Sequence, residues 1–133
     1  IICGVKSDVI RKSNVSFDII FYDHLELDEL IKLYIRSKIL LFPSLYESFG
    51  LPLIEGLSMG LEILSSKKGA TKEVAGNNSI YFDPLSGIEL KQNLEKIITN
   101  QSKNIEEDYI IKQNYLKKFS NVEVGKIISS HYR

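Results

Sequence analysis

Short apolar runs alternate with helical patterns along the chain, and this alternation limits the possible fold more than any other feature. The run Ile39–Phe42 is apolar at every position, as is typical of a strand in a parallel sheet that is covered on both faces. Chains in which strands and helices alternate usually form a parallel sheet between layers of helices. We therefore predict an α/β domain of three layers with a mainly parallel sheet.

The predicted elements cover nearly the whole chain. Apolar residues recur at helical spacing over Glu26–Ser37, and Pro52 suits the first position of another helix, which Gly60 ends. The strands are predicted at Ile1–Gly4, Val15–Tyr22, Ile39–Phe42, Leu61–Ser65 and Ile80–Phe82, with Ile39–Phe42 in the centre of the sheet. Further helices are predicted at Ser7–Ser13, from Thr71 as a capping residue, and at Ser86–Thr99, Ile105–Phe119 and Val122–Tyr132.

Length and charge exclude several classes of protein. The 133 residues suit one domain over residues 1–133, in which residues 105–133 form closing helices. Lys+Arg and Asp+Glu both total 17, so no field of one sign points to a nucleic-acid partner. The single cysteine, Cys3, excludes an intrachain disulfide and a cysteine metal cluster. The chain opens on the apolar run Ile1–Gly4, and we interpret it as a piece of a longer protein.

The segment that carries chemistry is residues 43–60, PSLYESFGLPLIEGLSMG. Glu47 follows the Ile39–Phe42 strand, and open α/β sheets bind ligands just beyond the carboxyl ends of their strands. Glu55 is expected in the first turn of the next helix, where free N–H groups suit an anion such as a diphosphate. Gly50 allows close approach of backbone to a ligand. From spacing alone, a helix-dipole role for Glu55 and a solvated Glu47 are equally good interpretations.

The same segment resembles the signature of family 4 of the GT-B glycosyltransferases, the set described as glycosyl transferases group 1. Its two glutamates, separated by seven residues, correspond to Glu47 and Glu55. Glu62 stands where the family usually has proline, and a glycine common near Tyr22–Asp23 is missing. Other stretches resemble the family in the same order, namely Val15–Leu30, residues 60–66, Gly69–Val74 and Tyr81–Pro84.

This resemblance implies roles for individual residues. Glu47 would hold the hydroxyls of the donor sugar and act as the catalytic residue, and Glu55 would hold the ribose hydroxyls. Backbone N–H groups of Phe49, Gly50 and Leu51 would face the sugar or the phosphates. Gly4 would lie in the nucleotide crevice, and the stretch that contains Tyr22, His24 and Leu25 would border the base.

The resemblance also implies an activity. The chain would be the Rossmann-like C-terminal half of a GT-B enzyme that transfers a sugar, with retention, from a UDP- or GDP-sugar to a saccharide or lipid-linked acceptor. We expect bacterial surface-polysaccharide synthesis in the cytoplasm or at the inner face of the cell membrane, with peripheral membrane association, no metal ion and no cofactor. The basic residues that grip the diphosphate would precede Ile1, the acceptor domain would also lie outside the chain, and the isolated chain would be inactive.

Alternative functions remain open from the sequence. A binding-only Rossmann-like module, a nucleotide-sugar 2-epimerase or a phosphorylase would share the architecture, and a flavodoxin-like signalling domain is a more distant possibility. Among single residues, Tyr46 is expected to pack in the interior, and Lys67 with Lys68 to form a solvated basic turn. His24 and His131 are not expected to act as acid or base.

Overall fold

The computed structural model describes residues 2–3, 19–99 and 104–120, and the chain divides into two compact units, Ile1–Arg36 and Ser37–Arg133. The predicted helices at Ser7–Ser13 and Val122–Tyr132 lie outside the described residues, as do Gly4, His131 and the first half of the predicted strand at Val15–Tyr22.

In its described residues, the first unit contains two short parallel strands and one helix. Strand β1 (Ile2–Cys3) pairs with β2 (Phe21–Tyr22), with Ile2 opposite Phe21. Helix α1 (Leu27–Arg36) confirms the predicted helix, carries acidic residues in its first turn and Arg36 in its last, and buries Tyr34. This charge distribution matches the helix dipole.

Over the part of the second unit that the structure describes, three parallel strands form a sheet in the order β3-β4-β5. Its strands are β3 (Ile39–Phe42), β4 (Glu62–Ser66) and β5 (Ser79–Phe82), and its helices are α2 (Leu51–Ser58), α3 (Thr71–Ala75), α4 (Gly87–Thr99) and α5 (Ile105–Leu116). Short 3-10 turns follow α3 at Gly76–Asn78 and α5 at Lys117–Phe119. The predicted α/β class with a parallel sheet is confirmed, but β4 rather than β3 is the central strand of this sheet.

The core of the second unit lies between β4 and α2. Ile63 and Leu64 of β4 and Leu53 and Leu57 of α2 are at most 1% exposed. Between these leucines, Gly56 brings the helix backbone against the sheet, because a Cβ there would lie 2.8 Å from Leu40 Cδ2 and 2.9 Å from Ile63 Cδ1. The close approach of α2 to the sheet therefore depends on the absence of a side chain at this position.

Helix α5 is joined to the end of α2 by polar contacts. Lys112 is 2% exposed, forms an ion pair with Asp108 and donates a hydrogen bond from Nζ to the Gly60 carbonyl at 3.2 Å. Gln113 donates from Nε2 to the Ser58 carbonyl at 2.9 Å. These donors satisfy carbonyls that the end of a helix leaves without intrahelical partners.

None of the helices among the described residues is long and apolar enough to cross a membrane.

The predicted role of Thr71 as an N-cap residue is wrong. Helix α3 begins at Thr71, and its N-cap position is occupied by Ala70, which makes no capping hydrogen bond through a side chain. The buried Thr71 hydroxyl instead donates to the carbonyls of Ser66 and Lys68. Thr71 therefore holds the loop that leaves β4 in place through hydrogen bonds to its backbone carbonyls. A sequence pattern does not reveal which backbone acceptors lie close to a threonine hydroxyl, so this role was not predicted.

Candidate functional site

Three loops leave the same edge of the second unit's sheet. They occupy residues 43–50 after β3, residues 67–70 after β4 and residues 83–86 after β5, and all three strands are parallel. The loops therefore lie at the carboxyl ends of the strands, where open α/β sheets bind their ligands. We take this carboxyl edge as the candidate site.

The loop that carries Glu47 is held by the neighbouring loop. The Ala70 N–H donates to the Glu47 carbonyl at 3.1 Å. Gly69 has a φ of 65°, and a Cβ at Gly69 would lie 2.6 Å from the same carbonyl oxygen and 3.0 Å from the Glu47 nitrogen. Only glycine meets both the left-handed backbone and this close approach without strain. The position of Glu47 therefore depends on backbone contacts with a separate segment of the chain.

The Glu47 side chain is half-buried and turns back towards its own loop. Its Oε1 accepts a hydrogen bond from the Phe49 N–H at 3.4 Å. A carboxylate has two oxygens and about four acceptor positions, so this contact leaves capacity for hydroxyl donors of a ligand. The Phe49 N–H, predicted to face the sugar or phosphate, faces the Glu47 carboxylate in this structure.

Helix α2 begins next to this loop with a glycine cap. Gly50 is buried, has a φ of 86° and occupies the N-cap without a side-chain hydrogen bond. A Cβ there would lie 3.1 Å from Leu53 Cδ1 and 3.3 Å from Glu47 Cγ. Gly50 is therefore required by the turn and by its neighbours, and α2 starts at Leu51 with no side chain capping its first N–H groups. Such an end favours an anion.

Glu55 is not in the first turn of α2, and this part of the prediction is wrong. The helix begins at Leu51, so Glu55 is its fifth residue, and α2 has no acidic residue in its first turn. Residues four apart lie on one face of a helix, so Glu55 shares the face of Leu51. The half-buried Glu55 is adjacent in sequence to Gly56, which packs on the sheet. The difference arises because the left-handed Gly50 starts the helix one residue before Pro52.

An aromatic cluster braces the loop from the far end of the chain. The ring of Phe119 packs edge to face on Phe49 at 5.9 Å and on Tyr115 at 6.1 Å between centroids. The Tyr115 hydroxyl donates to the Val74 carbonyl at 2.9 Å, and Lys118 Nζ lies 4.0 Å from the Tyr115 ring centroid. Edge-to-face aromatic pairs contribute about 0.5–1.5 kcal/mol beyond their buried area. The sequence analysis missed this brace, since no local pattern connects residues so far apart.

Lys67 links the loops after β4 and β5. Its Nζ lies 3.5 Å from Asp83 Oδ2 and 3.5 Å from Glu89 Oε2. Glu89 also accepts from the Asp83 N–H at 2.8 Å. Lys67 is exposed, as predicted for a solvated basic turn, and its charge is also shared with two carboxylates. The sequence shows acidic residues after β5 that could pair with a lysine, but only the parallel pairing of β4 and β5 brings them to Lys67.

The pKa of Asp83 is lowered, chiefly by the hydrogen bond from the Leu85 N–H. Desolvation opposes this shift as the next largest effect, and the positive charges of Lys67 and Lys68 lower the pKa further. A lowered folded-state pKa means that the group stabilises the fold above its unfolded pKa and loses this contribution as pH falls through the folded value.

We expect an NMR titration of the Asp83 carboxyl carbon to have its midpoint below the ordinary aspartate range. Lys67→Met should move that midpoint upward only in part, because the Leu85 N–H remains, while Lys91→Met on the exposed face of α4 should leave it unchanged. A midpoint that does not respond to Lys67→Met would contradict the electrostatic contribution of Lys67.

The remaining predicted site residues fall in two places. Glu47, Phe49, Gly50 and Leu51 come together in the loop and helix start at the carboxyl edge. Tyr22, His24 and Leu25 lie at the end of β2 in the first unit, where Tyr22 and Leu25 are half-buried. His24 is exposed, with Nε2 3.9 Å from Glu26 Oε1. Gly4 lies outside the described residues.

Tyr46 was expected to pack in the interior, and this prediction is wrong. Its side chain is 94% exposed, next to Leu45 at 48%. The contacts of this loop with the loop after β4 are made by the backbone of Glu47, and the Tyr46 ring is left uncovered.

A broad groove lies at the opposite, amino edge of the same sheet. It is lined by the starts of the strands and by the facing ends of α4 and α5, including Lys38, Glu62, Ile98, Ile105 and Tyr109. Of segment 43–60 only its last two residues, Met59 and Gly60, line the groove, so the groove does not contain Glu47, Glu55 or the other predicted site residues. We assign the site to the carboxyl edge, where strand-end loops and the start of α2 converge.

Within the described residues no three His, Cys, Asp or Glu side chains are grouped to hold a metal ion, and metal independence stays a prediction.

Comparison with known families gives one match over most of the chain. The sequence model described as "Glycosyl transferases group 1" matches residues 1–117. This range contains the whole carboxyl edge and most of the aromatic brace, up to Tyr115.

Several characterised proteins are similar over shorter stretches. The "Serotype-specific mannosyltransferase WbdA" of Escherichia coli is 36% identical over 84 residues, which are 63% of this chain and 10% of that protein. The "O-antigen chain mannosyltransferase B" of Escherichia coli is 35% identical over 57 residues, 43% of this chain and 15% of that protein. The "Phosphatidylinositol N-acetylglucosaminyltransferase gpi3 subunit" of Schizosaccharomyces pombe is 34% identical over 73 residues, 55% of this chain and 16% of that protein. The matches therefore span a small part of each relative.

Proposed function

The chain belongs to the glycosyl transferases group 1 family, and from this premise we propose that it is the donor-binding, C-terminal part of a retaining GT-B enzyme of family 4. It binds a UDP- or GDP-sugar, and the enzyme transfers the sugar to a saccharide or lipid-linked acceptor. The observation that carries the proposal is the fixed loop at the carboxyl edge. That loop places the half-buried Glu47 beside the uncapped start of α2.

The chemistry follows from what these groups offer. Glu47 accepts hydrogen bonds from hydroxyls of the donor sugar, and the start of α2 with Leu51 faces the negative diphosphate. In the reaction the bond between the anomeric carbon and the diphosphate oxygen breaks, the acceptor hydroxyl oxygen bonds to the anomeric carbon on the same face of the sugar, and the hydroxyl proton passes to the departing diphosphate. Fixed N–H dipoles stabilise the charge that develops on the departing diphosphate. Glu55 holds the ribose hydroxyls, and no metal ion is required.

We place the reaction in the synthesis of a bacterial surface polysaccharide. Support comes from the relatives, since one is named a serotype-specific mannosyltransferase and another an O-antigen chain mannosyltransferase, both from Escherichia coli. These names favour mannose as the transferred sugar and a growing saccharide as the acceptor. Donor synthesis and use then lie in the cytoplasm or at the inner face of the cell membrane, where peripheral association brings the enzyme to a lipid-linked acceptor.

The isolated chain tests donor binding apart from catalysis. Catalysis needs donor and acceptor held together in a closed cleft from which water is excluded. We therefore expect no sugar transfer by the isolated 133-residue chain, and nucleotide binding near the millimolar range, roughly 4 kcal/mol of binding free energy. Calorimetry with UDP, GDP, ADP and FMN beside a radiolabelled transfer assay makes both measurements. Measurable transfer would show that the chain also contains the acceptor site.

The Glu55 side chain provides a second test. In the transferase that contains this chain, Glu55→Ala should weaken nucleotide binding by about 1–3 kcal/mol, the usual contribution of a charge-assisted hydrogen bond. It should leave turnover at saturating donor nearly unchanged, because the ribose contact is the same in the ground and transition states. Glu95→Ala on the exposed part of α4 is the matched control. Equal nucleotide affinity for both variants would remove Glu55 from the donor site.

Two other functions on this architecture give different results in the same assays. A binding-only module would bind nucleotide, but the protein that contains the chain would transfer no sugar to any acceptor. A 2-epimerase would change the stereochemistry of the nucleotide sugar without an acceptor. Family membership and the named relatives favour transfer over both.

A further inference from the structure

Tyr46 is the most exposed large apolar side chain in the described part of the chain. Its exposed fraction is 94%, compared with 48% for Leu45 and 41% for Phe49 on the same loop. Contiguous apolar side chains at a protein surface commonly mark a binding site. Tyr46 is also adjacent in sequence to Glu47, so the exposed aromatic residue lies on the loop that forms the candidate site.

The backbone around Tyr46 is held in place although its ring is uncovered. The Ser44 hydroxyl donates to the Tyr46 carbonyl at 2.9 Å. The next residue, Glu47, accepts from the Ala70 N–H and lies against Gly69, and Phe49 packs on Phe119. An exposed ring on a fixed backbone loses little conformational freedom when a ligand covers it, because a tyrosine side chain has only two rotatable angles.

We propose that the Tyr46 ring is a stacking platform for a sugar ring bound beside Glu47. The proposal rests on the proposed glycosyl transfer. A sugar ring has a face of C–H groups and an edge of hydroxyls. The first is complementary to an aromatic face and the second to a carboxylate. Tyr46 and Glu47 present these two chemistries at successive positions of one fixed loop.

The occupant is a carbohydrate ring, from the donor or from the acceptor. A docked protein surface would need a larger apolar area, whereas the apolar side chains flanking Tyr46 are themselves about half covered. The Tyr46 side chain determines where the sugar ring lies, and Glu47 determines which hydroxyls of the sugar are bound. Tyr46 is therefore a binding residue for the sugar, and the nucleotide does not contact it.

The chain has no tryptophan, so a single substitution creates a selective probe. In the 133-residue chain, Tyr46→Trp should show a saturable change in fluorescence on addition of GDP-mannose, UDP-N-acetylglucosamine or a mannose disaccharide, and little change with GDP or UDP. The matched control is Tyr109→Trp, a position 46% exposed on the groove at the amino edge, which should not respond to the sugar ligands. A response to the nucleotide sugar assigns the donor ring, and a response to the disaccharide alone assigns the acceptor ring.

Affinities give an independent measurement. Tyr46→Ala should weaken binding of the responding sugar ligand about two- to tenfold, the usual contribution of an aromatic contact, while affinity for GDP and UDP stays as in the wild type. Tyr46→Phe should restore the sugar affinity, since the ring face is retained. If nucleotide binds but the Tyr46→Trp fluorescence and the Tyr46→Ala affinities do not change with any sugar ligand, the stacking proposal is wrong. If no nucleotide or nucleotide sugar binds to the wild-type chain, the proposed function fails and the stacking proposal with it.

Discussion

In the glycosyltransferase of the proposed function, replacing Glu47 with alanine is expected to lower kcat about 100- to 1000-fold, the range typical of removing one aligned contact to a transition state. The backbone of Glu47 is held before substrate arrives by the Ala70 N–H and the close approach of Gly69, and its carboxylate accepts a hydrogen bond from the Phe49 N–H. A contact aligned in advance stabilises the transition state more than the ground state, so its loss appears mainly in kcat. Steady-state kinetics with saturating nucleotide sugar measure this effect.

Two further variants separate chemistry from folding. Glu47→Gln keeps an oxygen that can accept from the Phe49 N–H, so the loop should fold normally while the negative charge is lost. We expect its kcat to lie between those of the alanine variant and the wild type. Ser48→Ala changes the adjacent exposed residue and should leave kcat within about twofold, since it removes no predicted contact. A Glu47→Ala variant with wild-type kcat and an intact fold would remove this glutamate from the mechanism.

Substitution of Gly69 by alanine should destabilise the protein by about 2–5 kcal/mol. Two costs combine at this position. A non-glycine residue with a φ of 65° costs about 1–2 kcal/mol, and overpacking typically adds about 1–3 kcal/mol. The added methyl group would meet the Glu47 carbonyl oxygen at 2.6 Å, and backbone cannot move aside as the end of a side chain can. Urea unfolding followed by circular dichroism measures the change.

Gly87→Ala is the control for Gly69→Ala. Gly87 is the first residue of α4, and a Cβ there would meet nothing within 4 Å. Alanine at this position should be neutral or stabilise the protein by up to about 1 kcal/mol, because glycine is the poorer helix former. The Gly69→Ala variant should also bind nucleotide sugar more weakly, since the clash displaces Glu47. Equal stability of the two variants would contradict the close approach of the loops after β3 and β4.

The elements of the second unit were largely predictable because each follows from local sequence. The apolar run of β3 and the glycine that ends α2 predict their elements within one or two residues of the observed bounds. The position of β4 in the centre of its sheet was not predictable. The lateral order of parallel strands depends on how the crossover helices pack, and β3 and β4 both read as apolar runs.

The candidate site was also predictable from the sequence only in part. The motif residues Glu47, Phe49 and Gly50 could be singled out from the sequence because their spacing resembles a known signature. The turn of α2 that carries Glu55 was misplaced, since the left-handed Gly50 starts the helix before Pro52. The exposure of Tyr46 was also missed, because an aromatic residue in a loop is packed or exposed according to neighbours that are distant in sequence.

The sequence by itself determined the α/β class, the elements of the described units and the segment that carries the chemistry, because hydrophobic periodicity and a family signature are local properties. Only the tertiary structure decided how that segment is held. Gly69, Ala70 and Phe119 reach the Glu47 loop across the fold, and Lys67 meets the carboxylates after β5. These contacts join residues that are close only after the strands pair in parallel, so their energies depend on packing and on backbone positions that a linear pattern does not contain.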